Sequence, residues 1–406
     1  MTSTVLLTPQ IITKESLVIL ENNLVAASKV NRKFENQFMK IGSQLTIRKP
    51  NKFTVTSGAS LQVQNIAEPS VTITVNQQQH VDFSFTSQDL TLTVEEFSER
   101  YLKPGLAALA NKLDFDVVAQ ALNFSNYVGT PTVTPSAFST SVQLVGRRMD
   151  DNADPQDNRT LLINPAAYWA VANGLSGSFV MPTAKDALVK GYLATIGNYE
   201  VYMDQNVQSL PAGVGAGAGA HNTSESATIV GTTGVGTTTQ VLGGGNATSE
   251  SYQVGEVFTV AGVFNVNPVS RISTGVLKNF VLTASTAAGA STTTLNFLPA
   301  LVTSGPYQNV SAGFTTASAV VWLTGTTAAQ IQSPQNLAFT RDALGLVTVP
   351  LEIPQGVDFA ARETYRNISM RVVRAYDINN DVFPTRVDIL YGTAIYYDDL
   401  ACRLGG

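Results

Sequence analysis

A block almost without charge constrains the fold of this chain more than any other feature. Residues 213–335 carry only five charged side chains, and Thr, Ser, Gly, Ala and Val dominate the rest. Strand-like runs separated by Gly-rich turns occur at 227–230, 237–242, 257–264, 280–283, 292–297 and 319–323. This spacing is typical of a small β-barrel or sandwich. Alternating patterns resume after Pro334, at 337–339, 368–376 and 386–395. We therefore expect an all-β domain inserted into a mixed α+β domain.

An arm and a β-ribbon are predicted ahead of the first long helix. Residues 1–41 have apolar side chains at helical spacing, including Leu17, Leu20 and Leu24, which predicts a short amphipathic arm. Farther along, apolar and polar residues alternate, which predicts strands with one buried face. The alternating apolar residues are Phe53, Val55, Leu61, Val63, Val71, Ile73, Val75, Val81, Phe83, Phe85, Leu90, Leu92 and Val94. Residues 48–76 hold too few large side chains for a core, so a two-stranded excursion is expected there.

The strongest helical pattern lies at 98–124. Its apolar residues step by three or four positions and form one stripe: Leu102, Leu106, Leu109, Leu113, Val117, Ala121 and Phe124. A second helix is predicted at 139–149, a buried strand at 159–164, and a short helix at 165–172 with Pro in its first turn.

Composition excludes several classes of function. Charged residues make up 14% of the 406, well below the roughly 25% of an average soluble domain. Such a neutral, polar surface has little charge repulsion to keep copies apart, which suits a protein covered by subunit contacts. The net charge of −5 argues against a nucleic-acid binder, which needs clustered Lys and Arg. No signal peptide is predicted, and no segment approaches the about 18 continuous apolar residues of a membrane span.

No catalytic constellation is evident in the sequence. His80 and His221 are far apart and have no nearby Cys or His to complete a metal set. Cys402 is the only cysteine and has no histidine close in sequence. The acidic cluster lacks the glycine turn and distal glutamate of a calcium loop, and a polar loop after the second helix is the simpler interpretation; it comprises Asp150, Asp151, Asp154 and Asp157. We therefore predict no enzyme, no cofactor and no metal.

Several short motifs, in their order, resemble one known family. Pro-Ser-Val-Thr-Ile-Thr-Val-Asn at 69–76, the alternating run at 81–87 and the start of the helical segment at 95–111 resemble its passage from extended loop to spine helix. Asn-Pro-Ala-Ala-Tyr at 164–168 resembles its strand-to-helix turn, and Gly-Glu-Val-Phe-Thr-Val-Ala-Gly at 255–262 resembles a strand pair of its inserted domain. Gly392 matches a glycine of its last strand. The family is that of short-tailed bacteriophage coat proteins.

The resemblance implies a Hong Kong 97-type capsid fold with an inserted β-barrel-like domain. The implied parts are an N-terminal helical arm at 1–41, an extended loop at 42–80, and peripheral and axial domains at 81–212 with the spine helix at 98–124. The inserted domain follows at 213–335, and residues 336–406 return to the axial and peripheral domains. The implied function is a major capsid protein that assembles in the host cytoplasm into the icosahedral virion shell. The implied partners are copies of itself in hexamers and pentamers, a scaffolding protein, a portal and a decoration protein, with DNA enclosed without sequence-specific binding.

Charge placement suggests one contact between copies. Arg48, Lys49 and Lys52 form the densest basic group of a charge-poor chain, at the base of the predicted ribbon. Carboxylates at the start of the long helix are the best candidates to meet them on a neighbouring copy, namely Glu95, Glu96 and Glu99. The alternative is a solvated basic turn that keeps the ribbon soluble.

Other function classes remain open at this point. A surface-displayed or tail-associated β-rich adhesion protein is favoured by the Thr/Gly/Ser-rich middle, but not by the 98–124 helix or the missing export signal. A phage depolymerase needs paired carboxylates in a cleft, and no spacing singles out such a pair. Encapsulin-type shells share the implied fold but lack the inserted domain.

Overall fold

Strands outnumber helices among the residues that the structure describes. The computed structural model describes residues 13–14, 16–20, 24–33, 44–64, 68–86, 103–131, 133–135, 141–175, 195–211, 228–231, 236–243, 251–287, 292–324, 332–357 and 359–406. A mixed α+β fold is therefore confirmed.

The elements follow one another along the chain with these bounds. The helices are α1 (Lys103–Ala119), α2 (Val142–Asp151) and α3 (Pro165–Leu175), with 3-10 turns at Gln120–Asn123, Arg341–Ala343 and Asp398–Leu400. The first strands are β1 (Gln44–Arg48), β2 (Ser70–Thr74), β3 (Gln77–Thr86), β4 (Tyr127–Gly129), β5 (Arg159–Ile163), β6 (Thr195–Ile196), β7 (Tyr199–Met203) and β8 (Ser209–Pro211). Then come β9 (Thr228–Val230), β10 (Thr239–Gly243), β11 (Ser251–Tyr252), β12 (Val257–Val266), β13 (Ser273–Leu282), β14 (Thr286–Ala287), β15 (Thr292–Leu298) and β16 (Val320–Trp322). The last are β17 (Gln332–Thr340), β18 (Leu344–Val349), β19 (Phe359–Tyr365), β20 (Ile368–Arg374), β21 (Val382–Ile395) and β22 (Ala401–Gly405).

The chain divides into two compact units. The first contains residues 1–49, 70–117 and 344–396, and the second contains residues 50–69, 118–343 and 397–406. Each unit is built from segments that are distant in sequence, so neither corresponds to a continuous stretch of chain.

A five-stranded antiparallel sheet dominates the first unit. Its strands are ordered β18-β21-β20-β19, and β3 pairs with β21. The predicted strand around Val81, Phe83 and Phe85 is thus confirmed as β3. Across the sheet, the fully buried Asp388 accepts hydrogen bonds from Arg371 Nε at 3.0 Å and from Gln78 Nε2 at 2.9 Å. These donors satisfy a carboxylate that burial otherwise destabilises.

The N-terminal segment of the first unit is held by a buried carboxylate of α1. Thr13, Lys14 and residues 16–20 are helical, as the spacing predicts. Farther on, the backbone N–H groups of Val25 and Ala27 donate to the two oxygens of Asp114, at 2.6 and 2.8 Å. Asp114 therefore satisfies two donors that no regular element satisfies.

The apolar stripe of the long helix is confirmed for the part that the structure describes. Helix α1 and its 3-10 extension bury Leu106, Leu109, Leu113, Val117, Ala121 and Phe124. Leu102 and the predicted helix start at 98 lie outside the described residues, as do Leu90, Leu92 and Val94.

The prediction for the middle of the ribbon is wrong. Within the described part of the ribbon, strand pairing joins only β1 to β2, and residues 49–64 form no strand. The side chains predicted to share a buried face are exposed: Phe53, Val55, Leu61 and Val63 are 61, 99, 89 and 84% accessible. Alternation predicts a buried face only where a second layer covers the strand, and none covers these side chains within the described residues.

A seven-stranded sheet forms part of the second unit. Its order is β4-β22-β17-β5-β7-β6, with β8 pairing β17, and the β5–β7 and β4–β22 pairs are parallel. Helices α2 and α3 pack on it through one cluster that includes Val145, Tyr168 and Leu161. The predicted helices at 139–149 and 165–172 are thus confirmed with shifted ends.

The charge-poor block supplies a second sheet. Its order is β16-β12-β13-β15-β10-β9, and its strands all come from residues 228–322. Aromatic rings fill its core, with Phe280 lying 5.6 Å from Phe258, 5.4 Å from Phe297 and 5.1 Å from Phe314 between ring centroids. The six predicted strand runs are confirmed, although β13 begins at Ser273 rather than at Phe280.

Candidate assembly surfaces

The predicted basic group is divided between the two units. Arg48 ends β1 opposite Ser70 and is exposed, and Lys49 is the last residue of its segment in the first unit. Lys52 belongs to the second unit, where its backbone N–H donates to Tyr307 Oη at 3.3 Å. Their predicted partners Glu95, Glu96 and Glu99 lie outside the described residues. The contact between copies therefore stays a prediction.

The segment between β1 and β2 is distinguished by its exposed apolar side chains more than by its charged ones. We call residues 50–64 the apolar loop, because it carries the four exposed apolar side chains described above. Its two sides are joined where Thr54 N–H donates to Gln64 Oε1 at 2.9 Å and Gln64 Nε2 donates to Thr54 O. Several large apolar side chains exposed on one loop are a feature of surfaces that contact other proteins.

The acidic cluster begins in the last turn of α2, at Asp150 and Asp151, rather than in a loop after the helix, and it takes part in a structural ion network. Arg159, which is buried, donates from Nη2 to Asp150 Oδ1 at 2.7 Å and places Nε 3.0 Å from Asp154 Oδ2. The Thr340 hydroxyl donates to Asp154 at 2.7 Å. Burial raises the pKa of Asp154 to about 6, and the hydrogen bond from Thr340 and the nearby Arg159 act in the opposite direction. Within the described ranges, no set of three or more His, Cys, Asp or Glu side chains is placed to hold a metal ion.

The thiol of Cys402 is buried in the seven-stranded sheet. It lies on β22 opposite Ala338 and is fully inaccessible. Burial raises the pKa of the thiol to about 12. Because the thiolate is the reactive form of cysteine, this position favours a packing role over a nucleophilic one.

In the native protein, Cys402 is expected to resist iodoacetamide and to react fully once guanidinium chloride unfolds the chain. Intact-mass spectrometry of samples quenched over time measures both rates. A Ser60→Cys variant, whose new thiol lies on the exposed loop, is the matched control and should gain one adduct rapidly without denaturant. Native labelling of Cys402 at the rate of that control would show that β22 is accessible.

Polar side chains join the six-stranded sheet to the rest of the second unit. Asn265 Nδ2 donates to Asn152 Oδ1 at 2.9 Å, and Asn279 Nδ2 donates to the Tyr127 carbonyl at 2.9 Å. Lys278, only 1% accessible as a side chain, places Nζ 3.5 Å from Asp399. In the sequence, Lys278 is notable only as one of the few charged residues of the charge-poor block. Nothing in its spacing identifies Asp399 as its partner.

The family comparison covers nearly the whole chain. The sequence profile described as "P22 coat protein - gene protein 5" matches residues 1–401. The chain belongs to the P22 coat protein family. It is a major capsid protein, and its copies form the shell. The adhesion-protein alternative is not favoured, and a coat protein family is structural rather than enzymatic.

Several solved phage structures are similar to this chain. A structure from Mycobacterium phage Che8 is similar with a TM-score of 0.51 and 11% identity, over 94% of this chain and 90% of that chain. The capsid structure of cyanophage P-SCSP1u has a TM-score of 0.45 and 11% identity over 90% and 83% of the two chains. One from Mycobacterium phage Ogopogo has a TM-score of 0.45 and 10% identity over 94% and 91%. No curated protein matches.

None of the described helices of this coat protein is both long and apolar enough to cross a bilayer.

Proposed function

We propose that this coat protein adopts the Hong Kong 97-type capsid fold and builds a closed icosahedral shell of hexamers and pentamers. The length of helix α1 supports its assignment as the spine helix. The pairing of β1 with β2 supports the assignment of this ribbon as an extended arm. Thin subunits that meet only at their edges bury little area. Extended arms let each copy reach the ~2,000–5,000 Å² of obligate interfaces.

The inserted domain is the part of this proposal with the most direct support. Strand β8 pairs with the start of β17, so that Pro211 lies opposite Gln332 and Ser209 opposite Pro334. The chain thus leaves and re-enters the seven-stranded sheet at neighbouring positions, as expected for a domain insertion. We place the insert at 213–335, between the domains at 81–212 and 336–406, and keep the arm at 1–41 and the extended loop at 42–80.

The partners follow from the role of a shell subunit. We propose that a scaffolding protein directs assembly in the host cytoplasm, that a portal occupies one vertex, and that a decoration protein binds the outer surface. Confinement holds the DNA without sequence-specific contacts, which is compatible with a net charge of −5. The protein performs no enzymatic step in this proposal.

Assembly is tested by sedimentation of the full chain expressed with and without the scaffolding protein of its phage. Closed particles of uniform size are expected in the scaffold arm. A protein that remains monomeric across concentration and crowding, with scaffold present, contradicts the proposal.

We further propose that Arg48, Lys49 and Lys52 contact Glu95, Glu96 and Glu99 of a neighbouring copy. An exposed charge pair contributes ~0–1 kcal/mol, whereas a partly desolvated interface pair couples by ~1.5 kcal/mol or more. Even the smaller value is repeated at every subunit of a shell.

Lys49→Glu is therefore expected to lower the melting temperature of assembled shells, measured by differential scanning calorimetry, while the unassembled subunit keeps its own melting temperature. The reverse change Glu96→Lys in the same chain should restore part of the loss. Shells of Lys49→Glu that melt like the parent would leave the basic group as a solvated turn.

A further inference from the structure

A cavity of about 440 Å³ lies between α2, β4 and the strands β12, β13 and β16 of the second unit. This volume is within the range of small-molecule sites. Leu144, 39% accessible, and Arg147, whose side chain is 66% accessible, lie at its solvent side. The walls are mostly apolar side chains: Val128, Leu144, Val276, Leu277, Val321 and Leu323.

One buried cation lines this cavity. Arg148 is only 5% accessible, and its Nη2 donates to the Leu277 carbonyl at 3.2 Å. Its Nε is buried and has no hydrogen-bond partner among the residues that the structure describes. A buried guanidinium N–H without a partner is costly, so its retention against apolar walls needs a reason.

The two carboxylates that act electrostatically on Arg148 are engaged with other cations. Asp151 lies 3.9 Å from Arg147 Nε, and Asp399 lies 3.5 Å from Lys278 Nζ. Among the described side chains, none makes an ion pair with Arg148. Burial accordingly lowers the pKa of Arg148, and the two acids offset part of that effect.

We propose that this cavity binds a small amphiphilic carboxylate, with its apolar body against the walls and its carboxylate on Arg148. A carboxylate supplies the counter-charge that the buried guanidinium lacks among the described residues, and charge-assisted hydrogen bonds of this kind are the strong ones. A polar neutral ligand supplies no charge, and an inorganic anion leaves the apolar walls uncovered. The alternative is that Arg148 serves only to donate a hydrogen bond to the Leu277 carbonyl. That role requires neither a buried guanidinium without a counter-charge nor a cavity beside it.

The test is calorimetric titration of the full-length, unassembled subunit with decanoate and, as the matched ligand without a charge, decanol. Saturable binding of one decanoate per subunit is expected. Decanol should bind at least about tenfold more weakly, because it forfeits the charge-assisted hydrogen bond. Equal affinity of the two ligands, or no binding of decanoate, overturns the proposal.

Two neighbouring arginines give a matched pair of variants. Arg148→Met should weaken decanoate binding about tenfold or more and bring it to the level of decanol, whereas Arg147→Met, at the exposed rim, should change it less than about threefold. Arg148→Met replaces an uncompensated buried charge with an apolar side chain of similar volume. Proteins usually tolerate such a replacement, so the variant is expected to fold. If Arg148→Met nevertheless fails to fold, Val276→Trp, which fills the cavity from β13, must abolish binding. Decanoate affinity unchanged in folded Arg148→Met or in folded Val276→Trp contradicts the site.

Discussion

Phe280→Ala is expected to destabilise the six-stranded sheet by about 3–5 kcal/mol, the usual cost of emptying a large aromatic site in a core. Phe280 is fully buried, and its ring meets those of Phe258, Phe297 and Phe314 within 5.1–5.6 Å. Domains have a total stability of about 5–15 kcal/mol, so this loss removes a large share of it. Guanidinium unfolding followed by tryptophan fluorescence measures it, because Trp322 is buried in the same cluster.

The matched control for this prediction is Phe264→Ala. Phe264 is on the neighbouring strand β12 but is 37% accessible, so its truncation leaves a smaller cavity. A loss of about 1 kcal/mol or less is expected. Equal losses for the two variants would contradict the description of Phe280 as the centre of this core.

Gly392→Ala is expected to destabilise the first unit by about 3 kcal/mol, at the upper end of overpacking effects. Gly392 lies on β21 where the end of β2 crosses it. A Cβ there would lie 2.3 Å from the Thr74 carbonyl oxygen and 3.0 Å from Val75 Cα. Both obstacles are backbone atoms, so relief requires β2 to move away from the sheet. Hydrogen exchange across β2 and β21, together with the unfolding midpoint, measures the effect.

A second glycine shows what the same substitution does without a clash. At Gly146 in α2, an added Cβ would meet only Tyr199 side-chain atoms, at 3.7 and 3.8 Å. Gly146→Ala should therefore raise the free energy of unfolding by about 0.5–1 kcal/mol through helix propensity.

A Gly392→Ala protein as stable as its parent would show that β2 does not cross β21 closely.

Sequence patterns predicted the elements whose periodicity is long and uninterrupted. The stripe from Leu106 to Phe124 is buried, and the runs of the charge-poor block form one sheet. Strands β4, β11, β14, β18, β19 and β22 were not predicted. In β18 and β22 nearly every residue is buried, so no alternation marks them. At the apolar loop the prediction failed for the opposite reason. Apolar and polar residues alternate there, but among the described residues no second layer covers the apolar ones.

The assembly surfaces were harder to predict than the fold. Charge clustering drew attention to Arg48, Lys49 and Lys52, whereas exposure singles out the apolar loop instead. Tertiary placement, which no local spacing encodes, brings Lys278 to Asp399. It also leaves Arg148 Nε without a hydrogen-bond partner among the described residues.

Cryo-electron microscopy of particles purified from cells that express the chain with its scaffold is the decisive test of the proposed shell. We expect closed icosahedral shells in which rings of five and of six copies share one subunit fold, with the sheet of residues 228–322 resolved as a distinct module of each copy. Filaments, open sheets, or shells in which that sheet is continuous with the remainder of the subunit would contradict it.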